Sequence, residues 1–342
     1  MSKRLGKQTV RMQNGVGIAG YASIAGKKEG EGPLRRYFDI LMEDAEWGEK
    51  TWEKTESKMQ KSAVAHAVEK AGINLSDINY IFAGDLLNQC IGSSFGLREL
   101  EIPFLGVYGA CSTMAETLGL AAMTVDGGFA DCSAAVTSSH FCTAERQYRT
   151  PLEYGGQRTP TAQWTVTGAG ALILSKSGGA PYVTHFTAGK IVDLGITDAN
   201  NMGAAMAPAA ADTLLAHFKD TGNRPEDYDL ILSGDLGEVG RSILVDMMND
   251  EGYDIAENYN DCGCMIFDGK KQDTHAGGSG CGCGASTLCG YVMNRMKAGE
   301  LNRVLFMATG ALLSPTSTLQ GESIPSVAHA VVISNTGQEG ER

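Results

Sequence analysis

Residues 77–86 read D-I-N-Y-I-F-A-G-D-L, and residues 227–236 read D-Y-D-L-I-L-S-G-D-L. The two stretches start 150 positions apart, and five of their ten positions are identical. Each follows a helix-like stretch that ends in a glycine, Gly72 or Gly222, and glycine suits the position just after a helix. The chain therefore contains the same helix, connection and strand twice.

Two further pairs of blocks follow in the same order. The stretch G-A-C-S-T-M-A-E-T-L at 109–118 parallels G-C-G-C-G-A-S-T-L-C at 280–289, because both are Gly-rich turns that open a helix. An apolar, strand-like run comes after each helix, and another closes each half. These runs lie at 133–139 and 304–310, and at 168–175 and 328–334. Three ordered pairs argue against a chance repeat in apolar sequence.

The repeated order predicts the architecture. Its strands are continuous apolar runs, which is typical of strands that helices cover on both faces. We therefore predict an internally duplicated α/β chain with five layers, αβαβα, and two mixed central sheets. The first half, 1–180, carries Cys111, and the second half, 181–342, carries the G-G-S-G-C-G-C-G-A-S loop at 277–286. A pocket is expected between the halves, near the paired Gly-rich turns.

Composition limits the function classes. The chain has 342 residues and a net charge of −12, so it lacks the basic footprint of a nucleic-acid-binding or anionic-lipid-binding protein. It has nine cysteines, an odd number, and is too large to need a disulfide framework. The sequence shows neither a signal peptide nor an apolar stretch that could span a bilayer. We expect a cytoplasmic protein that meets membranes only through protein partners.

Cys111 is the first candidate functional residue. It lies in V-Y-G-A-C-S-T, between an apolar strand and a helix. The positive end of a helix dipole lowers the pKa of a thiol, and the free N–H groups of the first turn can bind an anion. The alternative is a small buried residue beside glycine, because free cysteine is commonly buried.

A duplicated α/β chain with a cysteine at this turn resembles the thiolase and ketoacyl-synthase superfamily. Within it, the chain closely resembles the stage V sporulation protein AD family of endospore-forming bacteria over nearly its whole length. The strings that carry this resemblance are G-D-L-L-N-Q (84–89), G-A-C-S-T (109–113), T-S-S-H-F-C-T-A-E-R-Q (137–147), D-L-G-I-T-D (193–198) and A-T-G-A-L-L-S-P-T (308–316).

The resemblance implies a ligand and a setting. Members of that family are expected to bind pyridine-2,6-dicarboxylic acid, called dipicolinic acid, or its calcium chelate. They are expected to help move it into the developing spore, together with the membrane subunits of the SpoVA system. This places the chain on the cytoplasmic side of the inner membrane of the forespore or spore. A homodimer is expected by analogy with the superfamily.

The sequence departs from the condensing enzymes of the superfamily. They use a second-half histidine in a turn resembling G-H-P-x-G-A-S, whereas this chain has G-C-G-C-G-A-S, so Cys281 takes the histidine's place. Asp235 stands near the position where synthases place another histidine. A thiol and a carboxylate are poor replacements for a neutral imidazole that polarises a carbonyl and moves protons. We therefore predict a binding site without catalytic residues. The alternatives are an acyltransferase with Cys111 as nucleophile and a purely structural partner of the membrane subunits.

The expected ligand site combines the two turns. Gly280 and the Cys111 turn would offer backbone N–H groups to the carboxylates, with Cys281 and Cys283 as small, soft walls. The other candidates are Asn88 and Gln89 as amide donors, His140 at a strand end, and Asp85 and Asp235 at equivalent repeat positions. The two aspartates would hold a calcium ion of the chelate or brace their loops.

We expect neither a cofactor nor a resident metal. Cysteine pairs of the form C-G-C occur at 262/264 and 281/283, but zinc sites usually have two to four residues between paired ligands. No phosphate-binding glycine loop occurs in the required context, so a nucleotide site is not predicted. Calcium is expected only as part of the ligand.

Overall fold

The computed structural model describes residues 3–148 and 158–337. Thirteen strands lie in this part of the chain. They are β1 (Thr9–Ala25), β2 (Ile40–Leu41), β3 (Tyr80–Gly84), β4 (Phe104–Gly106), β5 (Cys132–Ser139), β6 (Trp164–Thr165), β7 (Gly168–Ser175), β8 (Tyr182–Thr187), β9 (Leu230–Ser233), β10 (Tyr259–Asp261), β11 (Gly278–Ser279), β12 (Arg303–Ala311) and β13 (Ser326–Ser334).

Ten α-helices accompany these strands in the described residues. They are α1 (Trp52–Ala71), α2 (Ile91–Leu97), α3 (Thr113–Asp126), α4 (Phe141–Tyr148), α5 (Met202–Thr221), α6 (Gly237–Asp250), α7 (Cys262–Ile266), α8 (Cys281–Thr287), α9 (Met293–Lys297) and α10 (Pro315–Leu319). A π-helical turn, Leu288–Val292, joins α8 to α9.

The two longest helices start and stop where their sequences suggest. The Thr51 side chain accepts a hydrogen bond from the Lys54 N–H at the start of α1, and Asn201 does the same for α5. Both helices end at the predicted glycines, which adopt left-handed backbone angles, with φ +67° at Gly72 and +75° at Gly222. The predicted helix ends of the repeat are confirmed.

The duplication is visible in the strand order. The first sheet runs β4-β3-β5-β7-β1 and the second runs β10-β9-β12-β13-β8, so each strand of one sheet has a counterpart in the other. Three strands of each sheet are parallel, and the next strand runs antiparallel to them. Both sheets are therefore mixed, as predicted. The predicted boundary at residue 180 falls between β7 and β8. The division of the chain into two domains stays a prediction.

Hydrogen bonds also join the two sheets. β1 is seventeen residues long, and its second part pairs with β7 while its first part pairs with β8. A shift in register between Arg11 and Val16 separates two stretches of the β8 pairing. The strand is long enough to serve both sheets, so they meet along β1 and β8 rather than standing apart.

Helices cover the sheets in five layers. α1 packs on β1, β5 and β7, whereas α5 packs on β12 and β13. α3 lies between the sheets and contacts strands of both, and α8 packs beside it on β5 and β7. All eight residues of β5 are buried, as expected for a strand covered on both faces. This arrangement places the N-terminal ends of α3 and α8 close together.

Glycine allows α8 to approach β7 closely. A Cβ atom on Gly170 would lie 2.4 Å from the Ala285 carbonyl oxygen, and one on Gly282 would lie 2.5 Å from the Gly168 carbonyl oxygen. Such distances are too short for any side chain, so backbone packs directly on backbone here. The close packing fixes the position of the Gly280 turn relative to the first half of the chain.

Among the described residues, no helix is both long enough and apolar enough to cross a membrane.

Candidate functional site

The turn before α3 presents Cys111. Ala110 adopts a left-handed backbone angle, φ +50°, which is unusual for a residue with a side chain. The Ser112 hydroxyl donates to the Gly109 carbonyl at 2.6 Å, and the Thr113 hydroxyl donates to the Ala110 carbonyl at 2.6 Å. These bonds hold a tight, strained turn that carries Cys111 at the start of the helix. Cys111 is 8% exposed.

Cys111 lines a cavity of about 250 Å³. Both halves of the chain contribute to its wall, as the sequence predicted. The described lining residues are Leu86, Ala110, Cys111, Ala144, Glu145, Tyr148, Thr165, Ala199, Asn200, Met202, Ser279, Ala311 and Leu313. Most of these side chains are apolar, and five of them carry oxygen atoms. The cavity suits a small ring with a few polar substituents.

The polar groups of the lining are mostly hydroxyls. The Tyr148 hydroxyl donates to the Leu86 carbonyl at 2.8 Å and lies 3.0 Å from the Tyr108 hydroxyl. The Thr165 hydroxyl donates to a Glu145 carboxylate oxygen at 3.3 Å. Glu145 is the one charged side chain among the described lining residues. Sequence reasoning missed Glu145 and Tyr148, because helix α4 gives no local sign of which face meets a cavity.

Asp235 lies directly behind Cys111. Its carboxylate accepts hydrogen bonds from the Gly280 N–H at 2.8 Å, the Thr309 hydroxyl at 3.0 Å and the Ser279 hydroxyl at 3.2 Å. The Cys111 thiol lies close enough to this carboxylate for the two groups to interact electrostatically. Complete burial raises the pKa of Asp235 to about 7 despite these donors. The structure thus brings together three of the predicted site residues.

The predicted activation of Cys111 is wrong. Burial raises the pKa of the Cys111 thiol well above its usual value, and the nearby carboxylate of Asp235 raises it further. A hydrogen bond from the Gly280 backbone acts in the opposite direction but is the smaller effect. The helix N-terminus therefore does not make a thiolate here, because desolvation and a facing carboxylate outweigh it.

A second buried aspartate, Asp261, holds the turn that carries Asp235. Asp261, at the end of β10, accepts from the Ser233 hydroxyl at 2.6 Å and from the backbone N–H groups of Leu236 and Gly237 at 2.8 and 2.9 Å. Its charge also raises the pKa of Asp235. Sequence reasoning missed Asp261. Its position directly before α7 could have indicated a structural role, because Asp261 caps that helix by accepting a hydrogen bond from the Cys264 N–H.

Asp85 occupies the equivalent position in the first half but does a different job. Its carboxylate accepts from the Leu87 N–H at 2.8 Å and from the Ser93 N–H and hydroxyl at 2.7 and 2.5 Å. Glu56, which sequence reasoning also missed, is buried beside it and accepts from the Ser138 hydroxyl at 3.0 Å. Burial and the neighbouring Asp85 raise the pKa of Glu56 to about 8. Asp85 therefore braces its own loop and does not line the cavity.

The two cysteines of the second turn are buried below the cavity wall. Cys281 packs against Cys111 in a small apolar cluster, and its thiol donates to the Ser138 carbonyl at 3.0 Å. Cys283 packs in the main core. Burial raises the pKa of both thiols well above the usual value. Neither cysteine is among the described lining residues, and of the two it is Cys281 that shares the small apolar cluster of Cys111.

Three further predicted site residues lie away from the cavity. Asn88 and Gln89 are exposed, and the Asn88 N–H donates to the Gln147 side chain at 3.0 Å. His140 is buried, with Nε2 2.9 Å from the Ala45 carbonyl and Nδ1 accepting from the Cys142 N–H. Burial lowers the pKa of His140. The strand end that carries His140 does approach the site, but its ring turns to another cavity, beside Trp164.

His329, one of four histidines in the second half, lies on β13 and accepts a hydrogen bond from the Gly189 N–H at 3.1 Å. Burial lowers the pKa of His329 to about 4. Within the described ranges, no cluster of three or more His, Cys, Asp or Glu side chains is arranged to hold a metal ion. Arg149 and Tyr154, two residues of a polar stretch that the sequence shows at 141–164, lie outside the described residues.

Comparisons with known proteins agree with this geometry. The model of the stage V sporulation protein AD family matches residues 6–334. The stage V sporulation protein AD of Bacillus subtilis (strain 168) is 46% identical over 335 residues, which cover 98% of this chain and 99% of that protein.

Solved structures with a similar fold include a synthase. The 3-oxoacyl-[acyl-carrier-protein] synthase III of Aquifex aeolicus VF5 superposes with a TM-score of 0.58 at 13% identity, covering 94% of this chain and 100% of that one. Cerulenin-bound OleA of Xanthomonas gives a TM-score of 0.60 at 17% identity, covering 94% and 98%. The predicted thiolase-like, mixed α/β fold is confirmed. The chain belongs to the stage V sporulation protein AD family and has a role in that stage of sporulation.

Proposed function

We propose that this chain binds dipicolinic acid, or its calcium chelate, in the Cys111 cavity without chemically changing it. Through this binding it takes part in the uptake of the acid into the developing spore. The observation that carries the proposal is the Cys111 cavity, which both halves of the chain line and whose described lining holds no histidine. The buried Asp235 carboxylate lies close to the Cys111 thiol, where a condensing enzyme needs an imidazole.

The Cys111–Asp235 pair is unsuited to acyl transfer. An attacking cysteine must be a thiolate, whereas the raised pKa keeps this thiol protonated near neutral pH. The described cavity lining also contains no histidine that could polarise a carbonyl. Cys111 therefore serves as a small wall residue whose thiol keeps its proton.

The lining suits a flat acid with polar edges. Its apolar side chains can cover the faces of a pyridine ring, while the Thr165 and Ser279 hydroxyls and the Asn200 amide can donate to carboxylate oxygens. Glu145 lines the same space. In the calcium chelate the metal ion can take a further oxygen ligand from a carboxylate such as this one.

The proposed setting includes two kinds of partner. The membrane subunits of the SpoVA system would hold the chain on the cytoplasmic side of the inner membrane of the forespore or spore. A second copy of the chain would pair along β4, the outermost strand of the first sheet, where Phe104, Leu105 and Tyr108 are exposed. Sedimentation of the purified chain as a monomer at micromolar concentration would argue against this dimer.

Calorimetric titration with dipicolinic acid, with and without calcium, tests the proposed ligand. We expect saturable binding that weakens in Cys111→Ala and falls by about 100-fold in Leu313→Trp, because the added ring fills the cavity. Leu319→Trp is the matched control, since Leu319 is exposed on α10 and does not line the cavity. Absence of saturable binding to the wild-type chain would refute the proposed ligand.

An acyltransferase that uses Cys111 is the second candidate function. The strained turn that presents Cys111 favours it, because such a turn is how many enzymes expose a nucleophile. A purely structural partner of the membrane subunits would bind no small molecule. That third role predicts that Leu313→Trp leaves the dipicolinic acid content of spores unchanged.

A further inference from the structure

Two loops of the second half form one braced surface. The loop between β8 and α5 and the loop between β12 and β13 exchange backbone hydrogen bonds between Val192 and Ser326, both 2.8 Å long. The Ile324 N–H donates to the Ile196 carbonyl at 2.7 Å. The Ser323 hydroxyl adds a bond of 2.5 Å to the Asp193 carboxylate. These contacts hold the two loops as a single unit.

The braced loops expose large apolar side chains. Ile191 is 64% exposed, Leu194 is 66% exposed, and Leu319 on α10 is 88% exposed. In contrast, Val192 and Ile196 of the same loop pack against the core. The outward direction of Ile191 and Leu194 is thus fixed by anchored neighbours. We name Ile191, Leu194 and Leu319, all exposed on the two joined loops, the loop patch. Several large apolar side chains exposed on one fixed frame mark an interaction site more often than single scattered ones do.

Acidic groups surround the loop patch. Asp193, Asp198 and Glu322 are exposed on the same two loops, and the Ser323 hydroxyl and the Gly195 N–H lower the pKa of Asp193. Lys190, the one lysine or arginine in these loops, has an ion-pair partner in Asp212 at 2.7 Å. Such a surface repels anionic lipid headgroups. It attracts a partner that combines apolar side chains with positive charge.

The loop patch also adjoins the cavity. Ala199 and Asn200 come from the first of its loops and Leu313 from the second, and all three line the Cys111 cavity. A partner seated on the patch would therefore lie beside the cavity. Its docking would not require any change in the buried Cys111–Asp235 pair.

We propose that the loop patch docks an amphipathic, basic segment of a protein partner next to the cavity. The apolar face of that segment covers Ile191, Leu194 and Leu319, and its lysines or arginines meet the surrounding carboxylates. Such a segment is recognised by its charge pattern and its apolar face, as helices in hydrophobic grooves are. This inference goes beyond the proposed ligand and does not depend on the ligand's identity.

A fluorescent amphipathic peptide made of leucine and lysine tests the docking site, with a leucine and glutamate peptide as its charge-reversed control. We expect the lysine peptide to bind, and Ile191→Ser/Leu194→Ser/Leu319→Ser to weaken it by about 10-fold or more, as loss of apolar anchors does. Phe129→Ser is the matched control, because Phe129 is 76% exposed just after α3, in the first half of the chain. Hydrogen exchange should show protection of the peptides that cover 188–200 and 312–325.

Three outcomes would overturn the inference. Lysine-peptide binding that is absent, or equal in the triple variant and the wild type, would mean that the patch recognises no such segment. Patch-dependent binding to phosphatidylglycerol vesicles in place of the peptide would point to a membrane surface. A self-association of the wild-type chain that the triple variant loses would assign the patch to a second copy.

Discussion

The two halves place an aspartate at the same point of the repeat, yet the two aspartates have different neighbours. Asp85, after β3, accepts hydrogen bonds from the loop and the helix α2 that directly follow it, through Leu87 and Ser93. Asp235, after β9, accepts from Ser279 and Gly280 at the second Gly-rich turn and from Thr309 of β12. The same turn therefore occurs twice, but one aspartate braces the segment after it and the other is buried behind Cys111.

Substitutions of the glycines before these aspartates should give the largest difference between the halves in the free energy of unfolding. A Cβ atom on Gly84 would lie 2.3 Å from the Val107 carbonyl oxygen, whereas one on Gly234 would lie 3.2 Å from the Ala308 Cα. We expect Gly84→Ala to lower the free energy of unfolding by about 3 kcal/mol, because backbone must move. Gly234→Ala should lower it by about 1 kcal/mol or less. Chemical denaturation measures both, and equal losses would contradict the asymmetry.

Replacing each aspartate by asparagine sharpens the comparison. Both oxygens of Asp85 accept from N–H groups, so the new amide nitrogen must face a donor. Asp85→Asn should therefore lower the free energy of unfolding by about 2 kcal/mol. In Asp235→Asn the nitrogen can replace the oxygen that faces the Thr309 hydroxyl, which can accept as well as donate.

We therefore expect Asp235→Asn to change the free energy of unfolding by less than about 1 kcal/mol. Thermal and chemical unfolding of the two variants, side by side with the wild type, make the measurement. A larger loss in Asp235→Asn than in Asp85→Asn would mean that the carboxylate charge of Asp235, and not its hydrogen-bond pattern, stabilises the second half.

The smallest expected effect is the change of the free energy of unfolding with pH. Burial raises the pKa of Asp235 to about 7 and that of Glu56, beside Asp85, to about 8. Because each folded pKa lies above its unfolded value, each carboxyl stabilises the fold at low pH and loses that contribution as the pH rises through the folded pKa. Buried His217, with a pKa lowered to about 3, acts oppositely but is fully neutral in both states well above pH 6.5.

The free energy of unfolding should therefore fall between pH 6.5 and 8, by on the order of 1 kcal/mol for each such carboxyl. Asp235→Asn should remove the part of this loss that ends at about pH 7, and Glu56→Gln the part that continues to about pH 8. Denaturation at several pH values makes the measurement. A free energy that stays level or rises in this interval would show that these carboxyls are ionised in the folded chain at all of these pH values.

The sequence predicted the elements that depend on local pattern. The repeat, the glycine ends of α1 and α5, and the place of Cys111 at a helix start can all be read from residue order. What it could not predict depends on which face of an element meets which neighbour. Glu56 lies among the lysines of α1 and Glu145 on a short polar helix, so neither pattern reveals a buried carboxylate. His140 ends the expected strand, but its ring direction depends on the Ala45 loop.

One measurement tests most directly the proposal that the Cys111 site binds a ligand and does not transfer an acyl group. The purified chain is incubated with acetyl-CoA at pH 7 and at pH 9, and its intact mass is recorded, with Cys111→Ala as control. The account predicts no acetyl adduct that depends on Cys111, because Asp235 and burial keep the thiol protonated. An adduct at pH 7 that Cys111→Ala abolishes would contradict it and establish Cys111 as a working nucleophile.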